Sequence, residues 1–202
     1  MSLTIEDFGG RVATVWSELR PTTRGLVERA LQTSNAASPP PRNVPYDPRA
    51  DLELSRLLTA LDERASETSS SLETEKNDQL RRVANTCATV LQEKTQSAEV
   101  FTQLVQRAHQ QRDYARIDAL ADALTSRFAP SEICELSRSD DLIVRALANE
   151  AMAQVPLSAL VALLIDPVDS EIARAALQRQ ATEYGSEDAR QLLNALDHVD
   201  EM

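Results

Sequence analysis

The sequence predicts an all-α chain whose second half consists of helical hairpins stacked as a short α-solenoid, and three observations carry that prediction. Only 4 of the 202 residues are glycine, too few for the turns of a strand-rich fold or for a phosphate-cradling loop. Leucine and alanine recur at intervals of three and four, which gathers apolar side chains on one helical face. Residues 140–164 are echoed by residues 169–193, an offset of 29.

Taken in order, Ile5, Phe8, Val12, Val15 and Leu19 share one face of a first helix, with Trp16 beside them. Gly9 and Gly10 fall in its middle and weaken it by about 1 kcal/mol each relative to alanine. A second helix follows Pro21, with Leu26, Val27, Ala30 and Leu31 as its apolar set, so residues 1–32 read as a small helical hairpin. Residues 33–48 hold Pro39, Pro40, Pro41, Pro45 and Pro48. Proline lacks an amide hydrogen and drives its predecessor to extended backbone, so this stretch reads as a polyproline-like or disordered linker tethering the hairpin.

A helical body is expected over residues 49–202. Asp47 suits a cap and Pro48 a first helical position, followed by a stripe of Leu54, Leu57, Leu58, Leu61 and Ala65. A long helix is expected from about 72 to 94, broken near "EKTQS", where every face is polar. Shorter helices follow from 97 to 198, punctuated by Asp113, Pro130, Asp140 or Asp141, Pro156, Asp166-Pro167, Asp169 and Gly185.

The echo has a consistent order of roles. Asp140 aligns with Asp169, Ile143 with Ile172, Arg145 with Arg174, Ala146 with Ala175, and Leu163-Leu164 with Leu192-Leu193. Each copy runs from an acidic cap through a β-branched residue, an arginine and small residues to a proline or glycine breaker, then to a second helix. One such pair cannot bury its apolar face alone, so the pattern predicts stacking on a neighbour.

The segment "DDLIVRALA" resembles the signature of HEAT-like repeats, especially the short bacterial kind typified by phycobilisome lyases, through Asp141, Val144, Arg145 and Ala148. The second copy departs from it, with Ala173 where valine is usual and Leu177 where alanine is usual. The resemblance covers residues 130–198 and extends less securely to 97–128, which also passes for a tetratricopeptide-like pair. It implies that the arginine and the cap aspartate tie neighbouring helices together, a structural role for Asp140, Asp141, Arg145, Asp169 and Arg174. Sequence spacing agrees, since Asp141 precedes Arg145 by four residues and Glu171 precedes Arg174 by three.

The chain has 21 basic and 32 acidic residues, a net charge of -11, so no nucleic-acid partner is expected: phosphate binding needs a clustered basic face. The N-terminus has Glu6 and Asp7 where a signal peptide would be basic, and no apolar run approaches the roughly 20 residues of a membrane span. Cys87 and Cys134 sit at apolar helical positions and belong to no CxxC pair, as for buried reduced thiols. Membrane insertion is therefore not expected, and a cytoplasmic location is.

Motifs for catalysis or cofactors do not emerge: the chain lacks GxSxG, a P-loop, HExxH and metal-spaced His/Cys clusters, so neither a catalytic residue nor a cofactor or metal site is assigned. His109 and His198 read as polar residues near helix ends. Asp166, Asp169 and Glu171 in "DPVDSE" suit helix capping better than cation binding, because the glycine and distal glutamate of a calcium loop are missing. Two surfaces remain. Ile5, Phe8, Val12, Val15 and Trp16 form an apolar stripe able to dock on a protein partner or another protomer, or to fold back on the body. "PPPRNVP" suits a polyproline ligand or a plain linker. The expected function is a non-enzymatic protein-interaction scaffold. The rivals are an enzyme or ligand-binding module built around groups such as Arg116, Asp118, Asp122 and Arg145, and a homo-oligomeric structural protein pairing through the 72–94 helix.

Overall fold

The computed structural model describes residues 5–33, 47–67 and 74–200, and every regular element among them is helical. The stretch from 34 to 46, which contains most of the predicted linker and all of "PPPRNVP", lies outside the described residues. Two compact units make up the chain, Met1–Thr95 and Gln96–Met202. The division falls after Thr95 and not within residues 33–48, because both N-terminal helices pack inside the first unit.

In the first unit a 3-10 turn over Ile5–Phe8 leads to α1 (Gly10–Glu18), α2 (Pro21–Thr33), α3 (Pro48–Glu67) and α4 (Thr74–Lys94). Helices α3 and α4 form the central pair; α1 lies on α3, and α2 lies on both. Leu54, Leu57, Leu58 and Leu61 of α3 are buried as their spacing predicts, against Leu80, Cys87 and Leu91 of α4. The first predicted helix is not continuous. Gly9 adopts φ 134° and ψ 163°, a conformation that L side chains rarely reach, and α1 starts only at Gly10. Arg64 of α3 fixes the break by donating from Nε to the Phe8 carbonyl oxygen at 2.9 Å.

The second unit comprises α5 (Ala98–Gln110), α6 (Tyr114–Arg127), α7 (Pro130–Ser137), α8 (Leu142–Met152), α9 (Leu157–Leu163), α10 (Ser170–Thr182) and α11 (Glu187–Asp200). Helix α5 packs on α6, α7 on α8 and α9 on α10. Between pairs, α5 touches α7 and α7 touches α9, while α6 touches α8 and α8 touches α10; α11 covers α10. Phe101 and Phe128 meet edge-on in the first of these pairs, with centroids 5.4 Å apart. Burial repeats at the offset of the echo: Val144, Ala148, Ala151 and Met152 of α8 are buried, and so are Ala173, Leu177, Gln180 and Ala181 of α10. The echo's two copies pair differently: the second joins α10 to α11, which pack on each other. The first copy joins α8 to α9, which turn through 118° across Ala153–Pro156 and pack mainly on α7 and α10.

Loop chemistry explains the helix starts. Asp141 accepts from the Ile143 and Val144 amides at 2.9 and 3.2 Å, and Asp113 accepts from the Arg116 amide at 3.1 Å, each supplying partners for amides that a helix leaves unmet. Helix α5 ends on Arg112 at φ 57°, in the left-handed position usually given to glycine, with the Arg112 amide bonded to the His109 carbonyl and the Asp113 amide to that of Ala108. Gly185, at φ 67°, stands at the corresponding place after α10. Among the described residues no single helix is long and apolar enough to cross a membrane.

Candidate interaction surface

Most large apolar side chains of the second unit are buried, so the exposed ones are conspicuous. Leu142 is 72% exposed, Ile165 83% and Val168 65%; Tyr114, Val161 and Tyr184 are exposed as well. Leu142 opens α8, and Ile165 and Val168 lie in the turn between α9 and α10. These two turns are joined by Arg138, at the end of α7, which donates from Nη1 to the Asp169 carboxylate at 2.5 Å and to the Val168 carbonyl oxygen at 3.4 Å. Asp169 is buried and Arg138 41% exposed, so this ion pair ties the end of α7 to the start of α10.

The flanks of this edge are acidic. Asp140, Asp166 and Glu171 are exposed around it. Arg138 is engaged with Asp169, and Arg145 donates to the Ser139 carbonyl oxygen at 2.8 Å. Asp141 also accepts from Gln106 of α5 at 3.2 Å. Burial pushes the Asp141 carboxyl up, but the hydrogen bonds from the Val144 amide, Gln106 and the Ile143 amide outweigh it, so it lies below the usual carboxylate range.

Away from these turns, α8 and α10 are joined by a second polar set. Gln180, buried in α10, donates to the carbonyl oxygens of Ala153 and Val155 at 3.0 and 2.8 Å, satisfying the end of α8. Arg179 bonds Glu150 and Glu183, each at 2.9 Å, and the Tyr184 hydroxyl donates to Glu150 at 2.7 Å. The Tyr184 and Arg179 bonds hold the Glu150 carboxyl below its ordinary value; Glu150 in turn lifts Tyr184, and Glu183 followed by Glu150 lifts Arg179. Sequence reading missed Gln180 and Arg138, since neither shows periodicity or a motif.

The structural residues predicted from the echo have different partners from those the spacing suggested. Arg145 reaches the Ser139 carbonyl oxygen, while Asp141 serves as the α8 cap; Arg174 reaches Asp197 on α11. Asp169 occupies the cap position of α10, yet its carboxylate takes Arg138 and makes no backbone cap bond. Asp140 is exposed, one residue before the α8 cap. Of the predicted partner-binding stripe, Phe8, Val12 and Trp16 are buried in the first unit and Ile5 and Val15 half-buried, with the Arg24 guanidinium 5.9 Å from the Trp16 ring. That stripe is therefore already covered by its own chain. Asp166 is committed to a turn, its Oδ1 accepting from the Val168 amide at 2.9 Å. Arg116 pairs with Asp113 at 3.5 Å, while Asp118 and Asp122 stand exposed on α6. Both cysteines are buried free thiols, and burial together with the Asp169 charge pushes Cys134 up to about 11.

In the first unit α2, α3 and α4 border a cleft of about 360 Å³ with Leu26, Ala50, Leu54 and Val90 at its base. One wall is a polar network in which Arg20 bonds Glu53 at 2.7 Å and Asp47 at 2.8 Å, while the Thr23 hydroxyl donates to Glu53. Burial pushes the Glu53 carboxyl up, but the bonds from Thr23 and Arg20 prevail and hold it below its ordinary value.

No protein-family model, curated protein or solved structure matches this chain. Its function has to be read from its own residues.

Proposed function

We propose that this protein is a non-enzymatic interaction scaffold whose second unit is a short solenoid of HEAT-like helical repeats and whose partner is another protein. The single observation behind this reading is that Leu142, Ile165 and Val168 are aliphatic and exposed at two turns, and that Arg138 of the first turn bonds Val168 and Asp169 of the second. Contiguous exposed aliphatic surface rimmed by polar residues is the usual material of a protein contact. Alternation of pairs α5–α6, α7–α8 and α9–α10 supports the repeat reading, as does burial recurring from Val144 to Ala173 and from Ala148 to Leu177.

The test is quantitative affinity capture of the full chain beside a Leu142→Ser/Ile165→Ser/Val168→Ser variant. A stoichiometric protein recovered with the first and lost with the second is the expected result. Recovery of no stoichiometric protein by either, from a monomer by light scattering, would refute the scaffold. Light scattering that rises with concentration would instead favour self-assembly.

A second reading, a helical module that binds a small ligand, is favoured by the cleft over Leu26 and Val90. A fragment screen by nuclear magnetic resonance, with Val90→Trp as the blocked control, tests it directly.

A further inference from the structure

The exposed edge also carries information about what covers it. Gln96–Met202 contain nine arginines, no lysine and eighteen acidic residues, so this unit presents two acids for every base. Across residues 138–145 and 165–171 the imbalance persists, with Arg138 and Arg145 set against Asp140, Asp141, Asp166, Asp169 and Glu171; Arg138 is paired with Asp169, and Asp140, Asp166 and Glu171 are exposed. A second copy of so acidic a unit would bring like charges together, and an anionic phosphate or lipid surface would be repelled for the same reason. A segment that buries the three aliphatic side chains has to place its own charges beside three carboxylates.

We propose that this edge docks a basic amphipathic segment of a protein partner, with the segment's aliphatic side chains on Leu142, Ile165 and Val168 and its Lys or Arg side chains over Asp140, Asp166 and Glu171. The inference rests on the scaffold reading and specifies its partner's chemistry. Arg138, four residues before Leu142, bonds Val168 and Asp169, so the turn before α8 and the turn before α10 are joined before the segment arrives, which lowers the ordering cost of binding.

The test uses the full chain and a fluorescein-labelled 18-residue peptide with leucine at helical i, i+3, i+4, i+7 spacing and lysine elsewhere. A second peptide keeps the leucines and replaces lysine with glutamate. Binding is followed by anisotropy and located by amide hydrogen exchange. The lysine peptide should bind and the glutamate peptide should not, with new protection confined to residues 138–145 and 163–172. Leu142→Ser/Ile165→Ser/Val168→Ser should weaken binding by about tenfold or more, since three aliphatic contacts are lost. Asp140→Asn/Asp166→Asn/Glu171→Gln should weaken it several-fold and flatten its dependence on salt. All six positions lie on the surface and Asp166→Asn keeps an oxygen acceptor for the Val168 amide, so both variants should hold the parent's urea midpoint to within about 0.5 kcal/mol of stability.

Equal binding of the lysine peptide to the triple-serine variant, or protection lying elsewhere, would mean general attraction to an acidic surface and would overturn the inference while leaving the scaffold reading in place. Equal binding of the glutamate peptide would overturn the charge assignment, and loss of self-association in the triple-serine variant would make a second copy the occupant; either result ends the proposal. Absence of lysine-peptide binding also overturns it, and the scaffold falls as well only if affinity capture returns no stoichiometric protein.

Discussion

Gly9 and Gly10 are adjacent, and the sequence treats them alike, yet the structure assigns opposite outcomes to replacing them with alanine. Gly9 has φ 134° and ψ 163°, a region that is essentially reserved for glycine, so an alanine there is strained by about 1–3 kcal/mol. Its new Cβ would stand 3.4 Å from Arg64 Nε, the same atom that holds the Phe8 carbonyl oxygen. A less flexible unfolded chain returns about 0.4–1 kcal/mol, leaving Gly9→Ala destabilised by about 1–2 kcal/mol. Gly10 is the first residue of α1, and a Cβ there meets nothing within 4 Å. Gly10→Ala should therefore stabilise by about 0.5–1 kcal/mol. Trp16 is the only tryptophan and is buried in the same unit, so its fluorescence during urea unfolding reports on this region. With a urea slope of about 1–3 kcal/mol/M, the two midpoints should differ by about 1 M in opposite directions from the parent. Two shifts of the same sign and size would refute the reasoning, because Gly9 would then be an ordinary helical residue.

Gln180→Met keeps the side-chain length but leaves the Ala153 and Val155 carbonyls without their α10 donor; a loss of about 1–3 kcal/mol is expected from calorimetry of the second unit's transition. Arg112→Gly relieves the left-handed backbone at φ 57° and should raise stability by up to about 1 kcal/mol, read from circular dichroism melts. Glu53 has a folded pKa below its ordinary 4.5, so its contribution is complete above that value and is lost as pH falls through the lower folded value. Urea midpoints followed by Trp16 fluorescence should therefore drop with acidification below about pH 4.5, and Glu53→Gln should flatten that drop.

Helix positions were legible because burial in a helix leaves a period. The α3 stripe of Leu54, Leu57, Leu58 and Leu61 needs no knowledge of its neighbours, and neither does the break after Lys94, where polar residues occupy every face. Asp141 as a cap was also readable, since its bonds reach amides two and three residues ahead. The candidate surface was not. Leu142 and Val168 look like core residues in a linear pattern, and only their exposure, with Arg138 drawing their turns together, marks them as a surface. The apolar stripe on α1 misled in the opposite direction: a helix face says that something covers it, but not that α3 of the same unit does.

The sequence by itself determined an aliphatic, all-helical chain, most of its helix boundaries and the acidic balance of its surface. Each follows from composition or from interactions within a few residues. Tertiary structure decided that the N-terminal stripe is buried, that α8 packs on α7 and not on α9, and that Arg138, Asp169 and Gln180 join neighbouring helices. Those outcomes depend on side chains about thirty residues apart meeting at a particular distance and orientation, and residue spacing along a chain carries no record of that.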